Sequence, residues 1–285
     1  MRPLRRSAGC SVDWKREACS GESRMPSAPI LEVEGVSKRF GGLLAVDQVS
    51  LQLGAGTVHT IIGPNGAGKT TLFNVIAGVF QPTAGTIRFE GSDVTGWRAH
   101  EAARKGVGRT FQNIRLFKKL SVLDNVLVAW TKDSTSSVLG SLLPLPGPKR
   151  EQGRFAEEAL QSLTLVGLAH LGDAVSTSLA HGQQRLLEIA RALALRPKVL
   201  LLDEPGAGLN HSEKIELVGL IGRLRERGYS ILLIEHNMPL VMAVSDWITV
   251  LDHGRLLASG RPADISRNPE VIRAYLGSEF SDVKA

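Results

Sequence analysis

The eight residues Gly63-Pro64-Asn65-Gly66-Ala67-Gly68-Lys69-Thr70 constrain this chain more than any other stretch. They fit G-x-x-x-x-G-K-[ST], a loop that joins a strand to a helix. Both flanks are present. Val58 to Ile62 reads as a strand and Thr71 to Val79 as a helix. The glycines let backbone N–H groups converge on phosphate oxygens with no Cβ in the way. The helix that follows points its positive end at the same place. Lys69 then adds a full charge at the β- and γ-phosphates, and Thr70 offers a hydroxyl to Mg²⁺. Such a string arises by chance in roughly one chain of this length per hundred. The strand before it and the helix after it argue against coincidence.

The second half has its own rhythm. Val199 to Leu202 and Ile231 to Ile234 are unbroken apolar runs, each ending in an acidic residue. Such runs suit parallel strands covered on both faces. Helical stretches lie between, at Gln183 to Leu195 and Ser212 to Arg227. Strand alternating with helix predicts an α/β fold with a mostly parallel sheet. Further strands are expected at Ile30 to Glu34 and Thr86 to Phe89. Helices are expected at Arg98 to Lys105, stopped by Gly106, and at Arg154 to Leu168. Thr131 to Pro148 is rich in Ser, Thr, Pro and Gly and reads as an insertion loop. Residues 97–178 are expected to form a helical subdomain inserted in a single domain spanning 29–280. A short tail, 281–285, follows it.

Composition excludes several classes. At 43% apolar and 22% charged, the chain is typical of a soluble globular protein. No apolar run approaches the ~20 residues of a membrane-spanning helix. Much of the net charge of +6 sits in residues 1–28, where Arg2, Arg5, Arg6, Lys15, Arg16 and Arg24 outnumber Asp13, Glu17 and Glu22. A solvated, disordered extension fits this better than a nucleic-acid arm, because no aromatic or helical pattern accompanies the charges. No apolar stretch follows to make a signal peptide. Both cysteines, Cys10 and Cys19, lie in this extension, which argues against a disulfide framework and fits a reducing compartment. Met25, just before the first strand, is a candidate alternative start.

The run Val199 to Leu202 leads into Asp203 and Glu204. An apolar strand that ends this way presents carboxylates at the sheet's carboxyl edge. Asp203 would hold Mg²⁺, directly or through water, and Glu204 would act as general base on the attacking water. The string is weak alone and strong after a phosphate loop.

Leu179-Ala180-His181-Gly182-Gln183-Gln184-Arg185 heads a helix shortly before that strand. It resembles the Leu-Ser-Gly-Gly-Gln signature of ABC ATPases. Gln112 resembles the Q-loop glutamine, and His236 the switch histidine. Phe40 resembles the aromatic that stacks on adenine, and Gly206 to Asn210 the D-loop. The resemblance covers about residues 30 to 280. Bland readings stand beside each: Phe40 as core, Gln112 as a surface loop residue, His236 as a helix cap.

The resemblance implies a P-loop NTPase, RecA-like core with an ABC-type helical subdomain and an N-terminal antiparallel β portion. It implies that ATP contacts Phe40, the loop from Gly63 through Thr71, and Ala180, His181, Gly182 and Gln183. Thr70, Gln112 and Asp203 would serve Mg²⁺. Glu204, His236 and Gln112 would serve hydrolysis. Three positions depart from the family: Ala180 lacks the serine hydroxyl, His181 replaces a glycine, and Asn210 replaces the D-loop aspartate.

Gly108 to Phe117, Ala180, the insertion loop, Gly208-Leu209-Asn210 and Arg273 to Gly277 most resemble the ATPases of branched-chain amino acid importers. Urea-type importers and the lipopolysaccharide-export ATPase are alternatives. The expected partners are membrane-embedded permeases, a second related ATPase in a head-to-tail dimer and, indirectly, a periplasmic solute-binding protein, with no nucleic acid. The expected place is the cytoplasmic face of the bacterial inner membrane. A soluble ABC ATPase acting on DNA or the ribosome is disfavoured by the single cassette and the lack of sustained heptads. A cassette with dead chemistry is disfavoured by Glu204 and His236.

Overall fold

The computed structural model describes residues 28–112, 114–129 and 147–274, with the side chains of 147–154 excepted. The basic extension with both cysteines, most of the expected insertion loop and the 281–285 tail lie outside the described residues.

Along the chain run β1 (Pro29–Phe40), β2 (Leu43–Gly54), β3 (Val58–Ile62), α1 (Lys69–Ile76), β4 (Ala84–Phe89) and β5 (Ser92–Asp93). Then come α2 (Ala99–Lys105), β6 (Val107–Arg109), α3 (Val122–Leu127), α4 (Gly147–Leu165), α5 (His181–Leu193) and β7 (Val199–Asp203). The last are α6 (His211–Glu226), β8 (Ser230–Ile234), α7 (Met238–Val244), β9 (Trp247–Asp252), β10 (Arg255–Gly260) and α8 (Pro262–Ile265). No helix among the described residues is long and apolar enough to cross a membrane.

An antiparallel sheet is ordered β2-β1-β4-β5. Its register pairs Leu31 with Leu53 and Phe89, and Val33 with Leu51 and Ile87, all buried. Glu32 and Glu34 between them are half-buried, the period of two expected of a strand with one covered face. The second sheet is ordered β10-β9-β3-β8-β7-β6, parallel except for β10. Every residue of β3, β7 and β8 is buried. In β7, Leu200 and Leu202 pack into the core shared with α3, α4 and α5, through Val126, Leu163 and Leu187. Val199 and Leu201 face the other way, onto Leu72, Phe73 and Ile76 of α1 and the inner face of β1. One strand thus joins both layers, because its side chains alternate.

Thr60, whose Oγ1 lies 2.6 Å from Ser245 Oγ, and His59 are the polar residues within β3. The His59 Nδ1 lies 2.6 Å from the Gln52 carbonyl and its Nε2 2.8 Å from Thr249 Oγ1, so the buried ring is satisfied. Burial pushes its pKa down to about 4.

Several boundaries differ from expectation. The helix after the phosphate loop begins at Lys69 rather than Thr71. α4 begins at Gly147, so Gly147 and Pro148 open a helix instead of closing a loop. Proline costs little in a first turn, where its missing N–H has no partner to lose. Within 97–178, β6 is a strand of the parallel sheet, paired with β7. Three residues carry too little periodicity to announce a strand.

Candidate functional site

Register brings three strand ends together. Ile234 of β8 aligns with Ile61 of β3 on one side and Asp203 of β7 on the other. The chain leaves β3 into Gly63, β7 into Glu204 and β8 into Glu235 and His236, all at the carboxyl edge where α/β sites lie.

Gly63, Gly66 and Gly68 of the loop have positive φ, 147°, 78° and 92°. Two of them are also crowded. A Cβ on Gly63 would lie 2.1 Å from the Leu251 carbonyl oxygen, and one on Gly68 2.4 Å from that of Ala45. Nothing lies within 4 Å of a Cβ placed on Gly66, so the loop is packed behind and open in front. Asn65, Gly66 and Thr70 are exposed, Pro64 and Thr71 are half-buried, and Ala67 is buried. Lys69 donates from Nζ to the carbonyls of Gly63 at 2.7 Å and Pro64 at 2.8 Å, which holds the ammonium inside the loop. Burial lowers its pKa, and the charges of Glu204 and Asp203 oppose that shift.

Asp203 is 2% exposed. Its Oδ2 accepts from Arg109 Nη2 at 3.4 Å, and its Oδ1 is buried with no hydrogen-bond partner. Burial raises its pKa, the Arg109 charge pulls it back, and Glu204 raises it again. The Arg109 guanidinium lies 5.6 Å from the ring of Phe73 and 5.4 Å from that of Phe111. Sequence reasoning passed over Arg109 as an active participant, because the strand that carries it was hidden.

Glu204 has φ of 47°, a left-handed conformation that a side chain seldom adopts. Strain of this kind costs about 1–3 kcal/mol and collects at functional sites. Gln112 Nε2 donates to Glu204 Oε2 at 3.4 Å, and His236 Nδ1 stands 3.9 Å from the same oxygen. Three residues far apart in sequence thus meet at one carboxylate.

The segment Ala180 to Gln183 opens α5 elsewhere. Among the described residues no hydrogen bond or ion pair joins it to Gly63–Thr70. Ala180 has no side-chain acceptor to cap the helix; its N–H instead donates to Gln183 Oε1 at 3.0 Å. Gly182 packs against the Glu213 carboxylate, whose Oε1 would lie 2.5 Å from a Cβ there. A Cβ on Gly208 would lie 2.9 Å from His181 Cε1, so the imidazole packs on that glycine. Asn210 caps α6, accepting from the Glu213 N–H at 3.0 Å while Glu213 Oε2 accepts from the Asn210 N–H at 2.8 Å.

α5 also grips the Gln112 segment. Arg185 donates to the carbonyls of Phe111 and Gln112, both at 2.9 Å, and Glu188 Oε1 accepts from the Arg115 N–H at 2.7 Å. A groove of about 650 Å³ lies beside this junction, lined by Gln112, Ile114, Leu116, His181 and Gly208 among others.

Phe40 is not core. It is 40% exposed at the end of β1, edge-on to Phe80 at 5.2 Å, with Lys38 Nζ 5.0 Å above its ring.

A glycine loop at a helix start, beside a strand that ends in two acids, belongs to the P-loop NTPases, and the paired sheets and α3–α5 layer to their ATP-binding cassettes. Residues 46–207 match the family model described as ABC transporter, and 255–281 the one described as branched-chain amino acid ATP-binding cassette transporter. The high-affinity branched-chain amino acid transport ATP-binding protein BraF of Pseudomonas aeruginosa is 49% identical over 252 residues, 88% of this chain and 99% of the relative. LivG of Escherichia coli, of the same description, is 46% identical with the same coverage. A cassette of an ABC transporter solved in its ADP conformation superposes with a TM-score of 0.77 at 33% identity, covering 88% of this chain and all of the other. The chain belongs to the ABC transporter family, as one of its ATP-hydrolysing cassettes.

Proposed function

We propose that this chain is the ATPase that powers an importer of branched-chain amino acids. Near full-length identity of 49% to BraF carries the reading. The match of residues 255–281 to a model named for that transport supports it independently of the phosphate loop.

In this reading the N–H groups of Gly63–Thr70 and the start of α1 hold the ATP phosphates, Lys69 swings onto the β- and γ-phosphates, and Phe40 stacks on adenine. Thr71 closes the loop's contacts. The unpartnered, buried Oδ1 of Asp203 is the kind of donor a hard divalent cation takes. Asp203, the exposed hydroxyl of Thr70 and Gln112 would hold Mg²⁺, which supplies charge neutralisation at the phosphates. Glu204 takes a proton from the attacking water, and His236 and Gln112 orient it.

Ala180, His181, Gly182 and Gln183 open a helix away from the chain's own phosphate loop. That suits service to the γ-phosphate of a second, related ATPase in a head-to-tail dimer. Permeases in the inner membrane would receive the motion on its cytoplasmic face, and a periplasmic binding protein would deliver the solute. Capture from native membranes tests this: multi-span permeases and a second ATPase, with ATP-dependent leucine uptake in the reconstituted assembly, are expected. Lipopolysaccharide-export permeases, urea uptake without leucine uptake, or capture without any permease would overturn the substrate.

A further inference from the structure

Among the described residues, Glu235 is the fully buried acid at the catalytic edge that these roles leave unused, at 0% exposed. It directly follows β8. Its Oε1 accepts the N–H of Gly206 at 2.7 Å. Its Oε2 accepts the N–H groups of His236 at 2.9 Å and Asn237 at 3.1 Å. A buried carboxyl group is tolerable only when its oxygens are satisfied. Here that satisfaction is spent on two loops, one adjoining Glu235 and the other 29 residues away at Gly206.

The fit is tight. A Cβ on Gly206 would stand 2.5 Å from Glu235 Oε1 and 3.1 Å from Leu240 Cδ1, so a glycine is needed for the backbone to reach the carboxyl group. Gly206 lies just beyond Glu204, and the turn between them is closed by Ala207 N–H donating to the Glu204 carbonyl at 3.1 Å. On the far side, Gly208 receives the His181 imidazole. The carboxyl group therefore joins the loop of the strained base to the loop of the histidine.

We propose that Glu235 is a positioning residue that locks the Gly206 backbone to the His236 backbone and thereby sets the spacing between Glu204 and His236. Closed off from solvent and 4.0 Å from His236 Nδ1, it acts through the two loops. The proposal rests on the hydrolytic roles given above to Glu204 and His236. Glutamine at 235 keeps the length and volume but must turn its NH₂ toward one set of N–H groups. One side of the clamp then opens, donor against donor.

The test measures ATP turnover and ATP-analogue affinity for the full chain and for Glu235→Gln, His236→Ala and the double variant. Glu235→Gln is expected to lower kcat by about tenfold, the worth of one such hydrogen bond, and to leave nucleotide affinity within about threefold. The double variant is expected to be no slower than His236→Ala alone, because both changes remove the same contribution. A purely structural role predicts multiplying losses, and that result overturns the proposal. Unchanged kcat in Glu235→Gln overturns it too. Turnover that survives His236→Ala would instead sink the hydrolytic assignment itself. Should Glu235→Gln fail to fold, Glu235→Asp is read by the same criteria, since its shorter side chain keeps the acceptors but reaches only one loop.

Discussion

Lys69 and Asp203 are 7% and 2% exposed, whereas Ala180 and His181, on the opening turn of α5, stand in solvent. Lys69 opens α1 shortly after β3 and Asp203 ends β7, two strands buried along their whole length, and the charge of each is answered inside the chain by carbonyls or by Arg109. The second pair opens a helix, where the Ala180 N–H donates to Gln183 within the same first turn. In the reading proposed above, one half of the site lies wholly within the chain. In that reading the other half serves the phosphates of the partner cassette. On that reading the cassette divides its labour: affinity is built into the core and commitment to hydrolysis is left to the surface. Changes in the buried half should therefore act in the isolated chain, and changes in the exposed half only in the assembly.

The largest effect is expected from Glu204→Gln. The amide cannot take the water's proton, so turnover should fall ~10²–10⁴-fold. Nucleotide affinity should hold, because the phosphates are gripped by the loop after β3. Turnover assays beside a nucleotide titration check both; unchanged hydrolysis would remove Glu204 from the role of base.

His59 tests the foundation of the buried half. Its folded pKa is about 4 and its unfolded value 6.5. The unfolded chain therefore takes up the proton first. The stability contribution is whole above pH 6.5 and is lost as pH falls toward 4, about 3 kcal/mol across the interval. Urea unfolding at a series of pH values should reveal this loss, and His59→Gln should flatten it. A variant as acid-sensitive as the parent would assign the loss to another group.

Lys69→Ala is next. It removes charge-assisted contacts to phosphate worth ~1.5–3 kcal/mol, so ATP affinity should weaken ~10–100-fold. It also leaves the Gly63 and Pro64 carbonyls without the ammonium that they hold. Titration of the isolated chain is sufficient, since the contacts belong to the chain itself.

The buried half was also the legible half. Gly63 to Thr70 and the acid-terminated run at Asp203 announced themselves because each is local: a spacing of glycines, a run of apolar residues. Arg109 escaped because β6 has only three residues and depends on β7 for its existence. Glu235 left a trace, an acid closing an apolar run, but the same trace at Glu204 had a ready reading and this one had none. Its meaning is a hydrogen bond to Gly206 in a loop distant in sequence, which no local pattern encodes. The convergence of Gln112 and His236 on Glu204 was expected only through family resemblance, and strand order is its physical cause: β8 lies between β3 and β7.

The smallest effect, and the sharpest for the comparison, is His181→Gly, which restores the family residue. The imidazole is exposed and touches its own chain at Gly208. Losing it from a helix's first position should cost less than ~1 kcal/mol of stability. The isolated chain should bind ATP as before, within about twofold, since nothing at 181 reaches Gly63–Thr70. The assembled transporter should change its turnover by about two- to fivefold, the worth of one exposed polar contact at the partner's phosphates. Lost affinity in the isolated chain would break the division of labour, because the surface half would then be acting on the core of its own chain. Turnover unchanged in the assembly as well would assign the imidazole to packing against Gly208 alone and leave the backbone of Gly182 and Gln183 as the whole of the signature's contribution.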